Sequence, residues 1–115
     1  MALNKQLDVI MCAYNAENTI MQCVLSILNQ TFTDFNLFVF NDCSTDKTEE
    51  VIKQFKDDRL TLISSNKNVG TYAGKNFILK NYCKSVYVAL QDADDFSELT
   101  RFEKQVTYLD EHLQV

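Results

Sequence analysis

The densest chemistry in the chain is Asp92-Ala93-Asp94-Asp95, three carboxylates within four residues. Carboxylates this close repel one another unless a cation or water offsets the charge. With free coordination positions they suit Mg²⁺ or Mn²⁺, hard cations that take oxygen ligands and often complete their shell with phosphate oxygens. A solvated acidic loop capping a helix near Glu98 would read the same way, and a D-x-D alone is a weak signal. Asp42 has two readings: a turn carboxylate bonding nearby amides, or an acceptor for a base N–H or a ribose hydroxyl. Tyr14 is either a plain loop aromatic or a flat face for a planar base. Lys75 is an ordinary helix lysine, or an offset for diphosphate charge if its helix faces the cleft. His112 lies far from every cluster and reads as a surface residue. The only glycines are Gly70 and Gly74, so neither G-x-G-x-x-G nor a Walker A loop occurs. A phosphate would have to be held in another way.

These residues sit where apolar runs stop. The runs are Leu7 to Met11, Leu37 to Phe40, Leu60 to Ile63 and Val86 to Leu90. Helical patterns alternate with them. Ile20, Val24, Ile27 and Leu28 share a face with Cys23, and Asn18 is placed to cap that helix. Asp46 and Glu49 have capping-box spacing. Acids open that second helix, and Lys53 and Lys56 fall near its end. A third helix is expected around Tyr72 to Leu79, and a last amphipathic one on Phe102, Val106, Leu109 and Leu113. Runs of Val, Ile, Leu and Phe read as strands buried on both faces. Their alternation with helices predicts an α/β fold, a Rossmann-like, doubly wound, mostly parallel sheet of about four strands. Such sheets bind ligands beyond the carboxyl ends of their strands, where Tyr14-Asn15, Asp42 and Asp92 to Asp95 fall.

Composition narrows the class. The chain has 115 residues, a formal net charge of −5 and 46% hydrophobic residues. That fits one domain with a real core and argues against disorder. The acid excess argues against a nucleic-acid partner or an anionic membrane surface. No apolar run approaches the roughly 20 residues of a membrane span, and the N-terminus lacks a signal-peptide pattern. A cytoplasmic location follows, with membrane association left open for a full-length protein. Cys12, Cys23, Cys43 and Cys83 contain no C-x-x-C pair, so reduced, mostly buried thiols are expected.

Together the motifs resemble the N-terminal, nucleotide-sugar-binding half of a family 2 glycosyltransferase of the GT-A fold. The resemblance rests on Val9-Ile10-Met11-Cys12-Ala13-Tyr14-Asn15, on Ser26-Ile27-Leu28-Asn29-Gln30-Thr31-Phe32-Thr33-Asp34-Phe35 and on Asn41-Asp42-Cys43-Ser44-Thr45-Asp46-Lys47-Thr48. It continues through Asn68-Val69-Gly70, Ala73-Gly74-Lys75-Asn76, and Leu90-Gln91-Asp92-Ala93-Asp94-Asp95 followed by Arg101. It covers nearly the whole chain, in order. It implies a transferase moving a sugar from a nucleotide diphosphate donor, most often a UDP-sugar, to a hydroxyl of a carbohydrate or lipid-linked glycan acceptor. Metal-assisted, inverting chemistry is implied. Ala13 and Tyr14, with Asn15, would flank the base; Asp42 would bond it; Lys75 would stand near the nucleotide. Asp92 would contact the ribose or the metal's water shell, and Asp94 would ligate Mn²⁺ or Mg²⁺.

Four departures from the family pattern stand out: Cys12 and Leu99 where Pro is common, Asn41 where an Asp is usual, and Cys43 where Gly is common. Cys12 and Cys43 are expected at the cleft mouth, where thiols can be modified. Family domains are longer, so residues 1–115 are expected to be one part of a domain truncated at its C-terminal side. The catalytic base is then expected beyond Val115. Such a piece would bind the donor nucleotide weakly, transfer little, and could pair with a second copy through exposed apolar surface. A sugar-phosphate nucleotidyltransferase is the nearest alternative, but Cys12 to Asn18 lacks the Gly, Lys or Arg its first loop needs. A receiver-like signalling domain would pair acids after the first strand, where this chain has Tyr14-Asn15.

Overall fold

The computed structural model describes residues 5–112. Four strands alternate with four helices: β1 (Leu7–Ala13), α1 (Ile20–Leu28), β2 (Phe35–Asn41), α2 (Thr48–Lys53), β3 (Leu60–Ser64), α3 (Thr71–Asn81), β4 (Tyr87–Asp92) and α4 (Arg101–His112). All strand pairs are parallel, in the order β3-β2-β1-β4. This is the expected α/β sheet. Leu113, expected on the last helix, lies outside the described residues.

The helices divide unequally between the two faces. α1, α2 and α4 cover one face through Ile20, Val24, Ile27, Ile52, Phe102 and Val106, against Val9, Met11, Leu37 and Val39. On the other face α3 packs Ile78 against Ile10, Phe38 and Phe40. Burial on both faces therefore holds for β1 and β2 only. β4 alternates buried and exposed residues, because α3 reaches β1 and β2 but leaves Val88 and Leu90 open. β3 is only partly buried.

Two capping expectations change. α1 begins after Thr19, whose N–H bonds the Ala16 carbonyl at 3.0 Å; Asn18 stays exposed outside the helix. At α2, Asp46 does accept the Thr48 N–H at 2.9 Å. Glu49, however, turns away to accept from Ser64 Oγ at 2.5 Å and Asn41 Nδ2 at 3.3 Å. The capping box is therefore half formed, and its Glu ties α2 to the ends of β2 and β3 instead. α2 ends at Lys53, so Lys56 lies past it.

Both glycines have steric causes. Gly70 has φ 89°, a conformation that side chains disfavour. A Cβ at Gly74 would lie 2.7 Å from Phe40 Cδ2, so α3 packs on β2 with no room for a methyl group. Asp8 accounts for another unforeseen feature. It is buried at the start of β1, with its oxygens accepting from Asn36 Nδ2 at 3.0 Å, Lys84 N–H at 2.8 Å and Ser85 N–H at 2.9 Å. It fastens the loop that leads into β4.

Gly74→Ala is expected to destabilise the fold by about 1–3 kcal/mol through overpacking, measured by urea unfolding. Asn41→Asp replaces a donor to Glu49 by a second carboxylate and is expected to cost about 1–3 kcal/mol at pH 7. Bonds from Ser64 and the Lys53 ammonium hold the Glu49 carboxyl below its usual range. A lowered folded pKa means that this contribution is present above the ordinary value of 4.5 and is lost as pH falls below it. The Asn41→Asp penalty should therefore shrink between pH 7 and pH 4, as a proton enters the pair. A penalty independent of pH would contradict the Asn41–Glu49 contact.

Candidate nucleotide and cation site

The sheet order reverses between β1 and β4, which opens a crevice at their carboxyl ends. The register places Cys12 beside Asp92 and Ala13 beside Asn41, so three strands end at one level. The polar clusters expected at separate strand ends therefore meet.

The loop after β1 is laced to the loop after β2. Asn15, at φ 49°, accepts the Thr45 N–H at 2.8 Å on its side-chain oxygen, and its own N–H bonds Ser44 Oγ at 3.0 Å. The Ala16 N–H bonds Thr48 Oγ1 at 2.8 Å. Ala13 is buried, and its carbonyl accepts the Asp42 N–H at 2.9 Å. Tyr14 is left 52% exposed at the rim. Cys43 has φ 59°, the left-handed backbone that explains why glycine would suit the position.

Asp42 is 4% exposed. Its two carboxylate oxygens accept the Val69 and Gly70 N–H groups at 2.7 and 2.9 Å. The amides it bonds are thus not those of its own turn, as the local reading had it, but those of the segment leading into α3. That segment brings Thr71 beside Cys12, whose thiol lies 3.7 Å from the Thr71 carbonyl. Burial raises the Cys12 thiol to about 11, with Lys75 pulling it down and Asp42 and Asp92 pushing it up. Cys12 is therefore a protonated thiol at neutral pH and a poor nucleophile.

Asp92 to Asp95 form a turn, with the Asp95 N–H bonded to the Asp92 carbonyl at 3.2 Å. Ala93 points inward and is buried. Its carbonyl accepts from Thr19 Oγ1 at 2.9 Å and from the Cys23 thiol. Turning Ala93 in turns its acidic neighbours out. Carboxylate oxygens of Asp92, Asp94 and Asp95 lie within 4.8 Å of one another, all on exposed residues. The donor set is oxygen only, which fits a hard divalent cation. Asp95 joins the two residues expected from the D-x-D.

A cleft of about 410 Å³ is lined by Cys12, Tyr14, Asn15, Thr71, Asp92 and Asp94. A neighbouring hollow of about 690 Å³ holds Lys75, Gln91, Asp95 and Arg101, and shares Asp92 with the first. The structure thus gathers Tyr14, Asn15, Asp92 and Asp94 in one cleft, sets Lys75 just across Asp92, and keeps Ala13 and Asp42 beneath as supports.

Sequence reasoning missed one set of residues. Thr19, Cys23, Ser26 and Gln30 follow at helical spacing from the cap of α1 to just past its end. Ser26 Oγ accepts the Ser97 N–H at 3.0 Å. Gln30 Nε2 donates to the Glu98 carbonyl at 2.6 Å, and Gln30 Oε1 accepts the Phe102 N–H at 3.0 Å. This stripe straps the acidic loop and the start of α4 to α1. The only sequence trace was the polar residues interrupting an apolar helix face.

The family model "Glycosyl transferase family 2" matches residues 8–115. The putative glycosyltransferase EpsE of Bacillus subtilis is 37% identical over 110 residues, covering 93% of this chain and 39% of EpsE. The UDP-Glc:alpha-D-GlcNAc-diphosphoundecaprenol beta-1,3-glucosyltransferase WfaP of Escherichia coli is 33% identical, over 90% of this chain and 41% of WfaP. The structure of S. aureus TarS 1-349 in complex with UDP superposes with a TM-score of 0.85 at 27% identity, covering 93% of this chain and 32% of that one. The chain thus spans about two fifths of the length of these curated relatives. No helix among the described residues is long and apolar enough to cross a membrane. A family match across nearly the whole chain and a shared GT-A fold lead to one assignment: this chain belongs to glycosyltransferase family 2.

Proposed function

We propose that this chain is the donor-nucleotide half of an inverting glycosyltransferase that takes a UDP-sugar and glycosylates a hydroxyl of a carbohydrate or lipid-linked glycan. The observation that carries the reading is the convergence of Tyr14, Asn15, Asp92 and Asp94 on one cleft beside three clustered carboxylates. The UDP bound by TarS and the diphosphoundecaprenol acceptor in the name of WfaP support the substrate classes. We read the location as cytoplasmic, with the full-length protein at the membrane where its acceptor is lipid-linked.

The roles follow from position. Tyr14, exposed at the rim, stacks on the base, and Asn15 holds its loop in place. Ala13 lets the chain pass close beneath. Asp42 keeps the floor rigid through the Val69 and Gly70 amides, and the second lone pair on each carboxylate oxygen is its remaining capacity for a base N–H. Lys75 draws toward the diphosphate. Asp94, with Asp92 and Asp95, would hold Mn²⁺ or Mg²⁺, which when bound neutralises charge on the departing diphosphate. Asp92, shared by both hollows, reaches the ribose or a metal-bound water. The base that deprotonates the acceptor is contributed by residues outside these 115. On its own the chain binds nucleotide and transfers little.

A metal-free nucleotide site would contradict this reading. Calorimetry with UDP and Mn²⁺ should show binding that Asp94→Asn weakens at least about tenfold, or 1.4 kcal/mol; binding that ignores metal or this substitution refutes the metal role. Lys75→Ala should weaken UDP several-fold and leave uridine unchanged, since only the diphosphate carries the charge that Lys75 meets. We also expect the face of β4 that α3 leaves open, with Val88 42% and Leu90 49% exposed, to be covered by a second copy. Light scattering at high concentration reads this directly, and a clean monomer would refute it.

A further inference from the structure

The residue just before the acidic turn has more contacts than a surface glutamine needs. Gln91 is the next-to-last residue of β4 and is 4% exposed. Its Nε2 donates to the Asp95 carbonyl at 2.8 Å and to the Asp92 carbonyl at 3.3 Å, so one amide spans both ends of the turn. Its Oε1 accepts from Ser97 Oγ at 2.7 Å and from the Arg101 guanidinium at 2.5 Å. Arg101 in turn bonds Ser97 Oγ at 2.9 Å and the Leu90 carbonyl at 3.1 Å. All four hydrogen-bonding sites of the Gln91 amide are in use.

Neighbouring groups show what this arrangement does. The carboxylates of Asp92, Asp94 and Asp95 are all exposed and make no ion pair among the described residues. Nothing on their own side chains fixes their spacing. The spacing is set from behind, by the backbone of the turn, and the turn is held by two devices. Thr19 and Cys23 grip the Ala93 carbonyl. Gln91 grips the carbonyls of Asp92 and Asp95. Arg101 orients Gln91 and brings a positive charge behind the acidic turn without ligating it.

We infer that Gln91, oriented by Ser97 and Arg101, is a positioning residue that fixes the separation of the Asp92, Asp94 and Asp95 carboxylates and so sets the affinity of this turn for a divalent cation. The inference rests on the proposed metal role of the turn and adds the residue that tunes it. Groups that orient metal ligands from behind typically matter about 10–100-fold in metal affinity.

The test compares wild type, Asp94→Asn and Gln91→Met, a substitution that keeps length and volume but removes all four hydrogen bonds. Mn²⁺ affinity in the presence of UDP is measured by calorimetry or by Mn²⁺ paramagnetic resonance, uridine affinity is measured without metal, and thermal unfolding is followed in parallel. Gln91→Met should weaken Mn²⁺ at least about tenfold while uridine stays within twofold of wild type, since a general loosening of the fold would weaken both. If Gln91→Met does not fold, Gln91→Glu takes its place. It keeps the acceptor oxygen for Ser97 and Arg101, loses the donors to the turn, and carries the same expectation. A folded Gln91 variant with wild-type Mn²⁺ affinity, beside an Asp94→Asn that has lost it, overturns the positioning role and leaves the metal site standing. Wild type that binds no Mn²⁺ overturns both.

Discussion

Three carboxylates with oxygens within 4.8 Å of one another are the constraint on which the rest of this molecule turns. Such a cluster is unfavourable unless a cation or water offsets its charge, and its spacing has to be held by other means. It does so through the backbone. Ala93 is pulled inward, and the turn around it is bonded to α1 on one side and to Gln91 on the other. The side chains that would meet a ligand stay free, while the atoms behind them are engaged.

The same division of labour recurs at the other strand ends. Asn15 and Asp42 read as ligand contacts, yet each carries its main load within the protein, bonding Thr45 in one case and the Val69 and Gly70 amides in the other. A loop that must present flat, polar surface to a nucleotide cannot also be loose, and this chain has no proline and only two glycines to shape its loops. Cross-loop hydrogen bonds supply the rigidity instead. Both glycines are used where sterics demand them, at the positive φ of residue 70 and against Phe40 at residue 74.

The sheet was legible because Leu7 to Met11 and Leu37 to Phe40 are continuous apolar runs, and only strands buried on both faces need those. Val88 and Leu90 look the same in sequence but face open space, since burial depends on which strands α3 reaches. The acidic turn was legible because three carboxylates in four residues are rare without a cause. Asp8 and Gln91 were not. A lone Asp at the start of a strand and a lone Gln at the end of one carry no local signal, and their partners lie 76 and 10 residues away or share a loop with them. The half-formed capping box at Asp46 failed for a related reason: Glu49 found a better partner in Ser64, across the fold.

The central claim is that strand ends from β1 and β4 form one site with a cation at the acidic turn. Paramagnetic broadening of backbone amide resonances by Mn²⁺ in the presence of UDP tests it most directly. The account predicts selective loss of signals from Ala93, Asp94 and Asp95 first, then Tyr14 and Thr71 across the cleft, all restored in Asp94→Asn. Broadening centred elsewhere, or unchanged by Asp94→Asn, would contradict it.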